Sequence, residues 1–477
     1  MAPFAWQRTR RRSALLFLAY GAWAAACLAQ AAAADASSRL ASASNITAKA
    51  ADLSACPTLR IAVINGVPYH YEVLAGLLHV LSPYAPHTDV YLNRYTRAPT
   101  ADGAWELLRW SKAKFTTITR GLASVLAKRR PKYDLVILVS TDYELDALTE
   151  LLKHLPRRLT IAYIHNSDYE HMPRLLEVTA GSSANRSSAV GSAAGDGGGG
   201  AGSEVQLVTL SPHAARSLAA ASGQPVEWVL AAYPFQPQPD CLEATEVDLL
   251  GHCLKGFAMQ GKFSSLRRNY SAIWDQLRAH QQELTRGDVG RLFHMNLLGK
   301  GDESRLGLPP ELQPHVSLMR RLRFATFYNA IHRSFALIPA LGSSKYYTDK
   351  FSSTILSSLI AGTPVVADAR FLAAYRFFTP ETVYVQGEGE QEVDVMLRLL
   401  RTRAPELLQV RRALRALQDR LNEQAAGFYA GKLRRLCGSA SAYGGAAGGR
   451  VGGGRSGGGR SGGGSGAASG GGSGLER

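Results

Sequence analysis

The stretch Tyr346-Tyr-Thr-Asp-Lys-Phe-Ser-Ser-Thr-Ile-Leu-Ser-Ser-Leu-Ile-Ala-Gly-Thr-Pro-Val-Val-Ala-Asp368 is the segment of this 477-residue chain that points most directly to a fold. It predicts a polar loop, a helix, a Gly-Thr-Pro turn and a short buried strand, because glycine and proline end helices. Backbone N–H groups at a helix start attract anions. Four polar residues cluster where this helix should begin: Lys350, Ser352, Ser353 and Thr354. The stretch predicts an anion-binding face at the edge of an α/β domain, and an ordinary helix–turn–strand unit is the alternative.

Short apolar runs alternate with helical patterns along most of the chain, which predicts parallel sheets covered on both faces. The Pro-rich segment 234–240 predicts a linker, so we expect two α/β domains over 58–233 and 234–435. Strands are predicted at 59–64, 89–92, 133–139, 159–164, 205–210, 226–230, 256–260, 291–298, 315–318, 335–338 and 365–367. Helices are predicted near 71–82, 104–128, 143–154 and from about 390 to 435.

The N-terminus has the composition of a targeting segment. An arginine cluster precedes an apolar run within residues 1–34, and about 20 apolar residues can span a bilayer. We expect a signal anchor with a cytosolic N-terminus, and a cleaved signal peptide is the alternative. Both place the chain in the secretory pathway, either as a type II membrane protein of the Golgi or endoplasmic reticulum lumen or as a secreted protein.

Three further segments are small, polar and poor in apolar residues. Residues 35–57 predict a stem linker, 179–203 a disordered insertion and 438–477 a disordered Gly/Ser-rich tail. Glycosylation sequons agree with a lumenal location and begin at Asn45, Asn185 and Asn269. Cysteines outside the apolar run permit two disulfides or four free thiols, and they are Cys56, Cys241, Cys253 and Cys437.

The formal net charge of +16 indicates a preference for anionic ligands or surfaces. The basic residues are scattered, and no basic stretch is interleaved with aromatic residues, so the sequence does not predict nucleic-acid binding. There is no Walker loop, no nucleophile elbow and no Asp-x-Asp pair for a metal–nucleotide complex. The sequence therefore predicts no resident metal ion or cofactor.

Ligands of open α/β sheets bind at the carboxyl ends of the strands, and polar residues follow several predicted strands. Gly66 follows the first strand and could admit a substrate to the backbone, although a plain turn is the alternative. His165 directly follows the strand at 159–164, where a general base or a substrate-orienting group could lie. A metal site formed with Asp168 and His171, or a solvated loop, are the other interpretations.

A second polar cluster follows the first strand of the second predicted domain. Lys262, Arg267 and Arg268 come after a glycine turn, and with Lys350 nearby they would clamp a diphosphate. Solvated basic residues on the surface are the alternative. The predicted donor-side ligands are therefore basic and hydroxyl-bearing.

With these residues in hand, the chain resembles glycosyltransferases of the two-domain GT-B type over residues 58–435, most specifically in 346–368. Weaker support comes from segments 256–270, 161–166 and 208–213. The resemblance implies two Rossmann-like, doubly wound domains that face a cleft. It implies a nucleotide-sugar donor in the C-terminal domain and a glycan, protein or lipid acceptor in the N-terminal domain. It also implies transfer without a metal, in which Lys262, Arg268 and the helix dipole stabilise the departing diphosphate.

The chain departs from the family pattern at the donor helix. The retaining branch carries two glutamates with seven residues between them, and the matching positions here are Asp349 and Ser357. The shortened acid Asp349 is expected to contact the sugar, whereas Ser357 cannot replace a ribose-binding carboxylate. The polar cluster at 350–354 resembles a substitute phosphate site. A non-catalytic module that binds a glycan or a protein, and more weakly a polyanion-binding protein, remain alternatives.

Overall fold

The structure, a computed structural model, describes residues 58–141, 145–166, 172–180 and 203–444. The segments 1–34 and 35–57, and most of the predicted insertion and tail, lie outside these described residues, so their predictions stay open. Within the described part, no helix has both the length and the apolar character needed to cross a membrane.

Seven parallel strands form the first sheet, in the order β3-β2-β1-β4-β5-β6-β7. The strands are β1 (Ile61–Asn65), β2 (Thr88–Asn93), β3 (Lys114–Ile118), β4 (Tyr133–Leu138), β5 (Arg157–Tyr163), β6 (Glu204–Thr209) and β7 (Val226–Trp228). All five residues of β1 are buried, as expected for a central strand covered on both faces. The strand order reverses between β1 and β4, and ligands of such sheets bind at the carboxyl ends of the strands there.

The second sheet repeats this arrangement on a smaller scale. Its strands are β8 (Phe257–Phe263), β9 (Met295–Gly301), β10 (Val316–Arg320), β11 (Val366–Ala367) and β12 (Tyr384–Val385). Strands β10, β9 and β8 are parallel neighbours, and β11 pairs in parallel with β12. Leu337 joins the two groups through parallel bridges to Ala258 and Val365. The strand expected at 335–338 is thus reduced to a bridge that occupies the middle of the sheet.

Helices connect the strands and cover both sheets. They are α1 (Tyr71–Val80), α2 (Ala104–Leu108), α3 (Leu122–Arg129), α4 (Leu145–Lys153), α5 (Met172–Ala180), α6 (Pro212–Ser222), α7 (Glu246–Asp248), α8 (Tyr270–Ala279), α9 (Gln281–Leu284), α10 (Gly287–Leu292), α11 (Phe324–His332), α12 (Lys345–Thr348), α13 (Ser353–Ala361), α14 (Ala369–Ala374), α15 (Glu392–Leu400) and α16 (Ala404–Gly444). A π-helix lies at Leu249–Cys253, and 3₁₀ turns lie at Ser82–His87, Arg94–Arg97, Pro99–Ala101, Glu303–Leu306, Pro310–His315 and Pro380–Thr382.

The single helix predicted at 104–128 is wrong. The structure divides this segment into α2, the edge strand β3 and α3. The run Lys114-Phe-Thr-Thr-Ile118 is rich in β-branched residues, and it pairs in register with β2 from Asp89 to Asn93. Pairing with a neighbouring strand decided its conformation, which a helical pattern read along the chain could not show.

The last helix returns to the first sheet. The hydroxyls of Tyr163 on β5 and Tyr429 on α16 are 2.6 Å apart, and both side chains are buried. The side-chain amide of Asn422 bonds both backbone polar groups of Ala232, at 2.8 and 3.0 Å. Helix α16 continues to Gly444, so the chain is helical beyond residue 438, where the disordered tail was predicted to begin.

A disulfide joins Cys241 to Cys253, and Cys437 is disulfide-bonded as well. The sequence leaves two disulfides and four free thiols open for these cysteines, and for Cys241, Cys253 and Cys437 the structure favours disulfides. The Cys241–Cys253 bond closes a short loop next to the start of β8.

Candidate functional site

The helix predicted from residues 346–368 is α13, and its start buries two of the three predicted hydroxyl ligands. Ser352 caps the helix by accepting a hydrogen bond from the Thr354 backbone N–H, and its side chain is 1% exposed. Thr354 is fully buried, whereas Ser353 is exposed to solvent. Gly362 ends the helix with a φ of 65°, as glycine does after a helix. Of the three hydroxyls, Ser353 alone is accessible to a ligand from solvent.

Arg268 lies inside the protein, where it is 3% exposed. Its guanidinium donates to the Thr354 hydroxyl at 2.6 Å and to the carbonyl oxygens of Gln260 and Arg267 at 3.0 and 2.9 Å. Burial lowers the pKa of Arg268. Gly261, at a φ of 142°, makes room for this guanidinium, because a Cβ there would lie 3.1 Å from its Nη2. The direct phosphate contact predicted for Arg268 stays a prediction, and its present bonds hold β8 against α13.

Lys350 is held by its backbone in front of α13. Its carbonyl oxygen lies 3.1 Å from Nε2 of the buried His213 on α6, and its backbone bridges to Asn166, which follows β5. Within the described residues, its half-buried side chain forms no hydrogen bond or ion pair. The ammonium group of Lys350 is therefore available to a ligand, at the place where the carboxyl edge of the first sheet meets the second.

Two other predicted cations lie on the same side of the second sheet. Lys262 is exposed on β8 and is paired in register with Lys300 on β9. Arg267 is exposed, and its positive charge adds to the effects that lower the pKa values of Arg268 and His70. Arg267 thus brings positive charge close to a histidine of the first sheet, so the two sheets contribute to one electropositive region.

His165 follows β5 as predicted, and it stacks on a second histidine that the sequence reasoning missed. The ring centroids of His165 and His70 are 3.9 Å apart. His165 donates through Nε2 to the carbonyl of Val139 at 2.6 Å, and Nδ1 of His70 lies 2.7 Å from the Ser140 hydroxyl. His70 adopts a left-handed backbone conformation, with φ 60°, at the start of α1.

Both stacked histidines are neutral at pH 7. Burial lowers the pKa of His165 to about 4. Burial, the neighbouring His165 and the charge of Arg267 lower the pKa of His70 well below its ordinary value. Neutral His165 donates through Nε2, so its Nδ1 carries a lone pair. A base with a pKa near 4 binds a proton weakly at pH 7, which favours an orienting role for His165 over general-base catalysis.

A cavity of about 480 Å³ lies at the carboxyl ends of β1, β2, β3 and β4. Gly66 lines it, and the carbonyl of Gly66 accepts a hydrogen bond from the Asn93 side chain. Ser140 and two arginines, Arg94 and Arg120, also line it. The sequence reasoning missed these polar residues because each follows a different strand, and only the sheet order brings the strand ends together.

The two positions that depart from the family pattern lie in different surroundings. Asp349 ends α12, is half-buried, and its charge acts to raise the pKa of His213, although burial lowers that pKa overall. Ser357 is 5% exposed within α13. The position that the resemblance assigns to a ribose-binding carboxylate therefore holds a buried hydroxyl.

Among the described residues, no group of three or more His, Cys, Asp or Glu side chains is arranged to hold a metal ion. Asp168 and His171, the other members of the alternative metal site around His165, lie outside the described residues. That alternative stays untested.

Solved structures with this architecture include Anabaena Alr3699/HepE in complex with UDP and glucose, and the same protein with UDP-glucose. They match with a TM-score of 0.50 each and identities of 14% and 15%. Both matches cover 78% of this chain, and 99% and 100% of the respective HepE chains. A glycosyltransferase from Rickettsia africae ESF-5 matches at a TM-score of 0.49 and 11% identity, over 79% of this chain and 99% of its own.

The sequence matches no protein-family model and no curated protein. Structural likeness at such low identity establishes the fold. The chain has the GT-B fold of glycosyltransferases, which confirms at the level of fold the resemblance found in residues 346–368.

Proposed function

We propose that this protein is a glycosyltransferase that moves a sugar from a nucleotide-sugar donor to an acceptor hydroxyl without a metal ion. The observation that carries the proposal is the bridge between Asn166 and Lys350. This bridge places Lys350, just before α13, next to the carboxyl edge of the first sheet. The ammonium group of Lys350 has no partner among the described residues. A donor phosphate and an acceptor hydroxyl could meet there within one GT-B cleft.

The donor diphosphate would bind at the start of α13. Lys350, the Ser353 hydroxyl and the positive end of the helix dipole would neutralise its charge, with Lys262 and Arg267 further out. The bond between the anomeric carbon and the phosphate oxygen breaks, and its electron pair leaves with the diphosphate. These cations act most strongly on the charge that develops during departure, which is the part of the reaction that a fixed positive site accelerates.

The acceptor would approach from the first sheet. Its hydroxyl oxygen forms the new bond to the anomeric carbon, and its proton passes to an oxygen of the departing diphosphate. Neutral His165, fixed by its bond to Val139, would orient the acceptor or the sugar, and the half-buried Asp349 would contact the sugar. The acceptor class is a glycan, protein or lipid hydroxyl. UDP is the first nucleotide to test, because the HepE structures were solved with UDP and UDP-glucose.

We also propose that the protein works in the lumen of the Golgi or endoplasmic reticulum, anchored by residues 1–34, with secretion after cleavage as the alternative. The support is the basic and apolar composition of that segment and the disulfide between Cys241 and Cys253. Disulfides form and persist in oxidising compartments.

The function is tested by a thermal-shift measurement on the purified full-length protein with UDP, GDP, ADP and CMP, each in EDTA and in magnesium. A ligand at 100 times its Kd stabilises the native state by about 2.7 kcal/mol. We expect the midpoint to rise with one nucleoside diphosphate, UDP first, and the rise to persist in EDTA. A rise only in magnesium would overturn the metal-independent mechanism.

The rival function is a non-catalytic module of the same fold that binds a glycan or a protein. The buried Ser357 in place of a ribose-binding carboxylate favours this rival. If folded protein shows no shift with any of the four nucleotides, the rival replaces the transferase. Strong salt dependence without nucleotide preference would instead indicate a polyanion-binding protein.

A further inference from the structure

The cavity at the carboxyl edge of the first sheet has the chemistry of a site for an anionic saccharide. Arg94 and Arg120 line it, and both side chains are exposed. Neither arginine forms an ion pair within the described residues, and no described Asp or Glu lines the cavity. Two guanidinium groups without counter-ions at one cavity create a positive potential that a carboxylate, sulfate or phosphate would neutralise.

The turn that carries Arg94 is fixed by several hydrogen bonds. Asn93 accepts from the Tyr95 backbone N–H at 2.9 Å, and its side-chain amide donates to Gly66 at the end of β1. The Thr96 hydroxyl donates to the Asn93 carbonyl at 2.7 Å. The guanidinium of Arg94 stacks 4.7 Å above the Tyr95 ring and donates to its hydroxyl. Pre-organisation of this kind reduces the ordering cost when a ligand binds.

Other lining groups suit the sugar part of such a ligand. Tyr95 lines the cavity and is 45% exposed, so an aromatic surface is available to pack on the apolar face of a pyranose ring. The Thr119 and Ser140 hydroxyls can exchange hydrogen bonds with sugar hydroxyls. With a volume of about 480 Å³, the cavity falls in the range of small-molecule sites.

The cavity is connected to the reaction centre by direct contacts. Ser140 lines the cavity and bonds to His70, and His70 stacks on His165. The next residue after His165 is Asn166, which bridges to Lys350. A ligand in the cavity therefore lies on the acceptor side of the proposed donor site.

We propose that the acceptor is an anionic saccharide whose carboxylate, sulfate or phosphate group is bound by Arg94 and Arg120. This inference rests on the proposed transferase function, because it names the acceptor class of that same site. The two arginines serve the acceptor, and the donor diphosphate belongs to Lys350 and α13.

The test is isothermal titration of the full-length protein, first with UDP and then, in the presence of UDP, with glucose 6-phosphate, glucuronic acid, glucose and inorganic phosphate. We expect glucose 6-phosphate or glucuronic acid to bind at least about tenfold more tightly than glucose, as lost charge-assisted hydrogen bonds imply. The two anionic probes separate a phosphate from a carboxylate source. The double variant Arg94→Gln/Arg120→Gln should lose this preference and keep its UDP affinity.

A matched control is Arg109→Gln, which changes an exposed arginine of the same half that does not line the cavity. Its affinities should equal those of the wild type. The inference is overturned if glucose binds as tightly as the charged sugars, if inorganic phosphate alone binds as tightly, or if the double variant keeps the preference. Loss of UDP binding in the double variant would mean that Arg94 and Arg120 bind the donor nucleotide and not the acceptor. If the wild type binds none of UDP, GDP, ADP and CMP, the transferase itself is overturned, independently of the cavity.

Discussion

Arg268 at the second sheet is held in the opposite way to Arg94 and Arg120 at the first sheet, although the two sheet edges meet at the Asn166–Lys350 bridge. At the second sheet, Arg268 is 3% exposed and bonded to Thr354 and to two carbonyl oxygens. At the first sheet, Arg94 and Arg120 are exposed and form no ion pair within the described chain. A buried cation whose donors are satisfied stabilises the fold, whereas an exposed cation without a counter-ion is available to a ligand. A net charge of +16 does not distinguish the two.

The largest effect is expected from Arg268→Met. The variant removes the buried guanidinium that donates to the Thr354 hydroxyl and to the Gln260 carbonyl, so the free energy of unfolding should fall by about 3 kcal/mol. Urea denaturation measures this. The control Arg267→Met changes an exposed neighbour and should stay within about 0.5 kcal/mol of the wild type. Unchanged stability together with lost UDP binding in Arg268→Met would show that Arg268 is a direct ligand.

The second prediction concerns the neutral histidines at the first sheet. Because the pKa of folded His165 is about 4, the unfolded chain binds a proton first as the pH falls. The contribution of neutral His165 to the free energy of unfolding is fully present above about pH 6.5, and it is lost as the pH falls from about 6.5 to 4. His165→Asn should reduce the stability loss between pH 7 and pH 5 by about 2 kcal/mol.

Urea denaturation at both pH values checks this prediction, and the exposed His87→Gln is the control. An unchanged pH dependence in His165→Asn would show that the ring is already charged in the folded protein. In that case His165 would not be the neutral orienting group of the proposed mechanism.

The third prediction separates available cations from structural ones at the second sheet. Lys350→Ala should weaken UDP binding by about tenfold or more, because an ammonium–phosphate contact is lost, while the thermal midpoint without ligand stays unchanged. The control is Lys255→Ala. Lys255 is exposed and precedes β8, at the amino ends of the strands and away from the proposed donor site, so this variant should bind UDP normally. Equal affinities of the two variants and the wild type would remove Lys350 from the donor site.

The smallest effect is expected at the two neighbouring serines of α13. Ser352→Ala removes the helix cap and should cost about 1 kcal/mol of stability. Ser353→Ala should change stability by less than about 0.5 kcal/mol, because its hydroxyl is exposed, and should weaken UDP binding instead. Denaturation and titration of both variants check this pair. If Ser353→Ala lost stability and Ser352→Ala lost UDP affinity, the Ser352 hydroxyl would be the ligand and the Ser353 hydroxyl the structural group.

Local pattern predicted much of the fold. The apolar runs near residues 59–64, 133–139 and 159–164 became β1, β4 and β5 within one or two residues, since a strand buried on both faces needs a continuous apolar sequence. The edge strand β3 was missed because an edge strand buries little surface: Lys114 is exposed and the other four residues are half-buried, so no continuous apolar run marks the strand. Its pairing partner β2 lies in a different part of the sequence.

The candidate site likewise has some features that neighbouring residues determine and others that only long-range packing determines. Residues 346–368 predicted α13 and its glycine stop, and thereby a helix start near Lys350, because helix termination depends on neighbours in the chain. Burial of Arg268 and Thr354, the stack of His70 on His165 and the cavity with Arg94 and Arg120 depend on strand order and on packing between the sheets. Residue type defines the charges and hydrogen bonds that a side chain can offer, whereas long-range packing decides which of them are satisfied inside the protein and which remain for a ligand.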